Sequence, residues 1–222
     1  MNTAVYEALS REFAAQGITL VAVSKTKPVA DIAALYAKGQ RDFGENYVQE
    51  LLDKQTRLPA DVRWHFIGHL QSNKVKQIAP FVHLVHAVDS FKLLQEINKH
   101  ARLNNRVIDV LLQLHIAEEE SKFGMDENRI LECMEYYEAQ QADMQHIRIC
   151  GIMGMASNTG DEAQIREELQ RIYAVYRTIG QTYFIGRKYY NTCSMGMSSD
   201  YPIAIAEGST MVRIGSLLFG SR

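Results

Sequence analysis

At 222 residues the chain has the size of one domain with a full core, and its 46% apolar and 23% charged content is that of a soluble globular protein. The net charge of −2 argues against a strongly basic nucleic-acid or membrane surface, and no apolar run approaches the length that spans a bilayer. Cys133, Cys150 and Cys193 are odd in number and lack C-x-x-C spacing, and the N-terminus has no signal-peptide core; together these read as reduced thiols in a cytosolic protein.

The predicted elements alternate along the chain. Asn2 to Ala15 reads as a helix with Val5, Leu9 and Phe13 on one face. Leu20 to Val23, inside I-T-L-V-A-V-S-K-T-K-P, is a buried β-branched strand carried on to Lys25. Val29 to Lys38 is a helix stopped at Gly39. A short strand over Arg41 to Asn46 precedes a helix over Tyr47 to Thr56. The third strand, Val62 to Ile67, closes in G-H-L-Q-S-N-K, where Ser72 or Asn73 is placed to cap a helix carrying Val75 and Ile78. His83 to Val88 is the fourth strand, and Asp89 or Ser90 caps the next helix. Val107 to Ile116 is the fifth, followed by a polar stretch to Gly124 and a helix over Glu127 to Gln140. Ile147 to Met155 is the sixth, with a long helix from Asp161 to Gly180 after it. Arg187 to Cys193, a short helix over Ile203 to Ala206, and Met211 to Ile214 complete the set.

Eight strands alternating with helices in a chain of this length predict a single-domain α/β fold over residues 1–222, a closed (β/α)8 TIM barrel. The alternative is an open doubly wound sheet, which would be expected to carry G-x-G-x-x-G after its first strand; none is there.

In such a barrel the site lies at the C-terminal ends of the strands, with phosphate often held after strands seven and eight. Lys25 stands at the end of the first strand, where desolvation would leave part of the amine neutral and able to form a Schiff base. The loop S-M-G-M-S-S-D after strand seven and the turn R-I-G-S after strand eight offer Gly and Ser for a phosphate. Arg213 sits inside an apolar strand and needs a partner. That partner is either a carboxylate such as Glu207 or Asp109, or the ring nitrogen of a heteroaromatic phosphate. A Schiff-base lysine, a phosphate cradle and an arginine at a pyridine nitrogen are the parts of a pyridoxal 5′-phosphate (PLP) site. His65, His69, His83 and His86 show no third ligand at a metal-site spacing, so no metal is expected. By strand alternation His83 and His86 fall on opposite faces.

The motifs V-S-K-T-K-P, F-G-E-N-Y-V-Q-E, W-H-F-I-G-H-L-Q-S-N-K, S-M-G-M-S-S-D and M-V-R-I-G-S-L-L-F-G together resemble those of the pyridoxal 5′-phosphate homeostasis protein family (YggS/PROSC-like), in order from about Ile18 to Gly220. The resemblance implies a lone alanine-racemase-type barrel of the fold-type III PLP class. It implies an internal aldimine on Lys25, Arg213 at the pyridine nitrogen, and Ser194, Gly196, Gly215 and Ser216 around the phosphate. It places Asn46 near the ring or its 3′-oxygen. The leader before strand one is short against the family pattern, and Met153 stands where a ring contact is expected. An unprotonated ring facing Arg213 is a poor electron sink, and the chain ends at Arg222 without the second domain that completes a racemase. The expectation is therefore a monomeric cytoplasmic carrier or regulator in PLP homeostasis, with PLP-dependent apo-enzymes as acceptors and little turnover. An amino-acid racemase or lyase on the same lysine, and a sugar-phosphate barrel enzyme, are the rival readings. Lys122, on the loop after strand five, and His69 at the barrel mouth are further candidates; Lys122 is placed to pass the cofactor on.

Overall fold

The structure, a computed structural model, describes residues 1–116 and 123–220. Eight parallel strands close in chain order: β1 (Thr19–Val23), β2 (Asp42–Glu45), β3 (Arg63–Phe66), β4 (Leu84–Val88), β5 (Ile108–Gln113), β6 (Ile147–Met153), β7 (Thr192–Ser194) and β8 (Met211–Ile214). β8 pairs back to β1, with Val21 beside Arg213, so the sheet has no edge and the open doubly wound alternative is excluded. The helices are α1 (Thr3–Gln16), α2 (Val29–Ala37), α3 (Val48–Gln55), α4 (Val75–Ile78), α5 (Phe91–Leu103), α6 (Glu127–Ala139), α7 (Glu162–Tyr183), α8 (Tyr201–Ala206) and α9 (Ser216–Phe219). Among the described residues, no helix is long and apolar enough to cross a membrane.

Strand alternation builds two apolar layers. In β1, Leu20 and Ala22 face the helices, while Val21 joins Leu84, Ala87, Leu111, Cys150, Met153 and Met211 inside the barrel. The three thiols are buried, and burial pushes each up to about 12. In α1 the buried face is Tyr6, Leu9 and Phe13, one position off the expected Val5.

Several boundaries differ from the sequence expectation. β1 stops at Val23, so Lys25 is not a strand residue; it lies in a turn closed by Lys27 N–H donating to Ser24 O (3.0 Å). β7 begins at Thr192 rather than Arg187, because Arg187 and Tyr190 make consecutive turns back to Phe184 and Arg187. The aromatic pair Tyr189-Tyr190 imitates strand composition, yet Tyr190 stacks on Phe184 and Tyr176 outside the barrel. Neither Ser72 nor Asn73 caps α4; both lie in a 3-10 turn that runs into it. Ser90 does cap α5, accepting from Leu93 N–H at 3.3 Å.

Two irregularities shape the interior. The β4–β5 register shifts between Val85 and Val88; Leu84 and Ala87 both reach the inner apolar cluster, and His86 between them meets buried interior groups. Opposite a second shift, in β5, Gly151 has φ 154°, and a Cβ there would lie 1.7 Å from Thr192 O. Gly151→Ala is expected to destabilise the fold by at least the 1–3 kcal/mol typical of such backbone strain, about 2–3 kcal/mol in all, read as a lowered urea midpoint at unchanged slope.

Candidate functional site

The C-terminal ends of the strands enclose a cavity of about 320 Å³, within the range of small-ligand sites. Lys25 reaches it from the turn after β1, Asn46 from the end of β2, and Arg213 from β8. Gly215 and Ser216 close one side after β8, and Ser198 and Ser199 face it from the loop after β7. Val23, Ile67, Met153, Met155 and Met197 supply the apolar wall. Five of the seven residues expected from sequence thus meet in one cavity.

Ser194 and Gly196 are not among the lining residues. Ser194 is fully buried beneath Arg213, and its Oγ and carbonyl oxygen accept from Arg213 Nη1 at 2.6 and 2.8 Å. Gly196 has φ 95°, and its missing Cβ makes room for Ala204, so it shapes the turn. Ser198 and Ser199 stood in the same quoted loop; reading outward from the strand end would have reached them.

The turn that carries Lys25 rests on a buried charge network. Lys54 Nζ donates to Glu45 Oε1 (2.7 Å), Glu50 Oε1 (2.6 Å) and Ser24 O (2.7 Å). Lys54 is only 3% exposed and Glu45 0%. Ser24 Oγ donates to Glu45 (2.5 Å), and Thr26 N–H donates to Glu50 (2.6 Å). Thr26 has φ 62°, which a β-branched residue rarely adopts, so the turn is strained where it presents Lys25. Burial pushes the Glu45 carboxyl up, against the hydrogen bonds from Lys54 and Ser24 that pull it down.

Arg213 is 4% exposed and, among the described residues, makes no ion pair with a carboxylate. Glu207 pairs with Arg166 and Asp109 with Arg148, so the ion-pair expectation fails. Besides Ser194, it donates from Nη2 to Gly154 O (3.0 Å). Burial pushes the guanidinium down to about 10, still protonated at neutral pH. Three of its five N–H groups are used within the described residues, leaving Nε–H and one Nη2–H for the cavity it lines.

Behind Arg213 a column of polar groups crosses the barrel. Ser194 Oγ lies 3.3 Å from His86 Nδ1, His86 Nε2 lies 2.9 Å from His65 Nδ1, and His65 Nε2 lies 3.0 Å from Asp42 Oδ1. With both imidazoles neutral, one tautomer set satisfies every member: Arg213 donates to Ser194, Ser194 to His86, His86 to His65 and His65 to Asp42. Burial would raise the Asp42 carboxyl, but hydrogen bonds from Arg63 and His65 together hold it well below the usual range.

Burial, aided by the neighbouring His65 and Arg213, drives His86 well below its ordinary value. The unfolded chain takes up a proton at His86 near pH 6.5 and the folded chain does not, so stability is complete above that pH and falls as pH drops below it. The urea unfolding free energy should decline below about pH 6.5, by up to ~1.4 kcal/mol per pH unit for this one proton. His86→Gln should flatten that decline; an unchanged slope would mean His86 is not its source.

His69 does not join His65. It stacks on Phe123 (centroids 3.8 Å) and pairs with Asp89 (3.1 Å), lining a neighbouring cavity that shares Asn46, Ile67 and Met155. Lys122 lies outside the described residues.

A closed parallel barrel whose C-terminal mouth sets a turn lysine and a buried arginine on one cavity is a barrel of the alanine racemase N-terminal domain class, and that family's profile matches residues 6–222. Within it, the chain belongs to the pyridoxal phosphate homeostasis protein family. It is 35% identical over 208 residues to the pyridoxal phosphate homeostasis protein of Haemophilus influenzae, covering 92% of this chain and 85% of the relative. PipY of Synechococcus elongatus, solved with PLP bound, superposes with a TM-score of 0.83 at 33% identity, over 97% of this chain and all of PipY. An alanine racemase of Streptomyces coelicolor shares the fold at 20% identity, with a TM-score of 0.73 over 96% of this chain and 56% of the racemase.

Proposed function

We propose that this chain binds PLP in the C-terminal cavity and serves to hold and supply the cofactor rather than to turn over a substrate. The observation that carries the reading is Arg213: a buried, protonated guanidinium with donors left for the same cavity that Lys25 enters. Two further features fit the cofactor. Among the described residues Asn46 Oδ1 is buried with no hydrogen-bond partner, so an oxygen substituent on a ring beside it would meet the amide, turned to present Nδ2. Among the described residues, the N–H groups of Ser198, Ser199 and Ser216 have no protein acceptor, which suits a phosphate. The PLP carried by PipY, a family member that aligns end to end with this chain, supports the same reading.

In this reading Lys25 supplies the amine that takes the cofactor's aldehyde covalently. Arg213 faces the ring nitrogen, Asn46 the ring oxygen, and Gly215, Ser216, Ser198 and Ser199 the phosphate. Ser194 positions Arg213, and Gly196 sets the loop. When bound, PLP supplies an aldehyde and an electron-accepting ring. Arg213 does not release its proton to that ring, so the ring stays a weak electron sink and carbanion chemistry is disfavoured. All of these groups come from one chain, and the reading takes a cytoplasmic monomer as the working unit, with PLP-requiring apo-enzymes as acceptors.

The test is proton exchange. The PLP-loaded protein, incubated with alanine or serine in deuterated solvent, is expected to leave the α-proton in place while passing PLP to an acceptor apo-enzyme. Rapid deuteration with racemisation would establish the racemase reading instead.

A further inference from the structure

At the opposite, N-terminal mouth of the barrel lies a second cavity, of about 370 Å³, that the cofactor reading does not use. Asp42, His65 and His83 meet there, and one donor atom from each lies within 4.8 Å of the others. They come from the start of β2, the middle of β3 and the residue just before β4, which is why no spacing along the chain reveals them. His83 precedes β4, so strand alternation does not govern it, and its ring comes within 5.4 Å of the His65 ring. Asp42 is the third donor, supplied by a strand remote in sequence from the histidines.

We propose that Asp42, His65 and His83 form a binding site for a divalent transition metal of the zinc class. Two imidazoles and a carboxylate are a common protein donor set for such ions, with further positions left to solvent. Metal–donor distances of about 2.0–2.2 Å need donors roughly 3.4 Å apart, so the donors, now within 4.8 Å of one another, would draw in on binding. His83 is exposed and the cavity opens to solvent, which gives an entry path. The outer partners are already in place. Arg63 grips both Asp42 oxygens, donating from Nε to Oδ1 (2.7 Å) and from Nη2 to Oδ2 (2.5 Å), and orients the carboxylate while reducing its charge. His86 Nε2 sits 2.9 Å from the His65 nitrogen that faces away from the cluster.

That last contact links the two mouths. A metal on His65 Nε2 obliges His65 to carry its proton on Nδ1 and donate it to His86 Nε2. His86 then carries its proton on Nδ1 and donates to Ser194 Oγ. The column reverses without net gain or loss of protons: the one displaced from His65 Nε2 returns through solvent to the Ser194 end. Ser194 Oγ then receives both His86 and Arg213, which changes how it holds the arginine. This linkage rests on the cofactor reading above; the metal site does not.

Equilibrium dialysis of the full-length protein against Zn2+, with bound metal counted by atomic emission, is expected to give about one equivalent at micromolar concentration. His83→Ala, at an exposed position that leaves the column intact, should cut the affinity at least tenfold, with circular dichroism confirming the fold. His100→Ala, which removes the separate His100–Glu96 pair, should leave binding unchanged. No bound Zn2+, or equal binding by His83→Ala, overturns the site. Repeating PLP titrations with and without Zn2+ should shift PLP affinity several-fold in the wild type and not in His83→Ala; bound metal with unmoved PLP affinity overturns the linkage. If PLP does not bind at all, the cofactor reading fails while the dialysis still decides the metal site.

Discussion

Lys25→Ala is expected to abolish the visible absorbance of the PLP-loaded protein and to weaken PLP binding at least about a hundredfold, or roughly 2.7 kcal/mol. Lys25 is a half-buried residue on a strained turn at the cavity wall, and the reading gives it the covalent bond to the cofactor. The arginine, asparagine and loop groups would remain and hold the ring and phosphate of the cofactor by charge and hydrogen bonds alone. Lys25→Arg separates the two contributions: it keeps a cation at the cavity but cannot form the bond. Its spectrum should match that of Lys25→Ala, while its affinity falls less. A normal absorbance band in either variant would mean that another lysine carries the cofactor.

Lys54→Met is expected to produce the largest loss of stability, about 3–5 kcal/mol, the usual cost of leaving a buried charge without its partner. Removing Nζ strips one cation from Glu45, Glu50 and the Ser24 carbonyl together. Among the described residues Glu45 Oε2 lacks a partner, so the Ser24 hydroxyl would be the one donor left to a buried carboxylate that has lost its cation. Because Glu50 also accepts from Thr26 N–H, the loss should reach the Lys25 turn, and any folded fraction should bind PLP more weakly. Chemical unfolding read alongside PLP affinity checks both effects. A change below about 1 kcal/mol would place Lys54 with exposed pairs such as Arg57–Asp53.

The barrel was legible in the sequence because short β-branched runs kept alternating with helical periods, and the five motifs fell at strand ends. What stayed hidden required contact between distant strands. Lys54 stands in V-Q-E-L-L-D-K-Q, where it looks like a solvated helix residue; only the fold carries it under Ser24. Thr26 gives no sign of its positive φ, since β-branched residues avoid that region, and so β1 was extended to Lys25. The family resemblance puts Ser194 around the phosphate. In the fold it is buried on β7, where it touches both Arg213 and His86, a contact that no spacing along the chain shows. The histidine column was obscured by the irregular register of β4, where simple alternation no longer tells which residues face inward.

The most direct test of the central claim is the absorption spectrum of purified, PLP-loaded protein before and after borohydride, followed by peptide mapping. The expected result is a yellow protein that borohydride bleaches, with the phosphopyridoxyl mass on Lys25 alone. A colourless protein that takes up no PLP, or a modification that maps to Lys27 or another lysine, would contradict it.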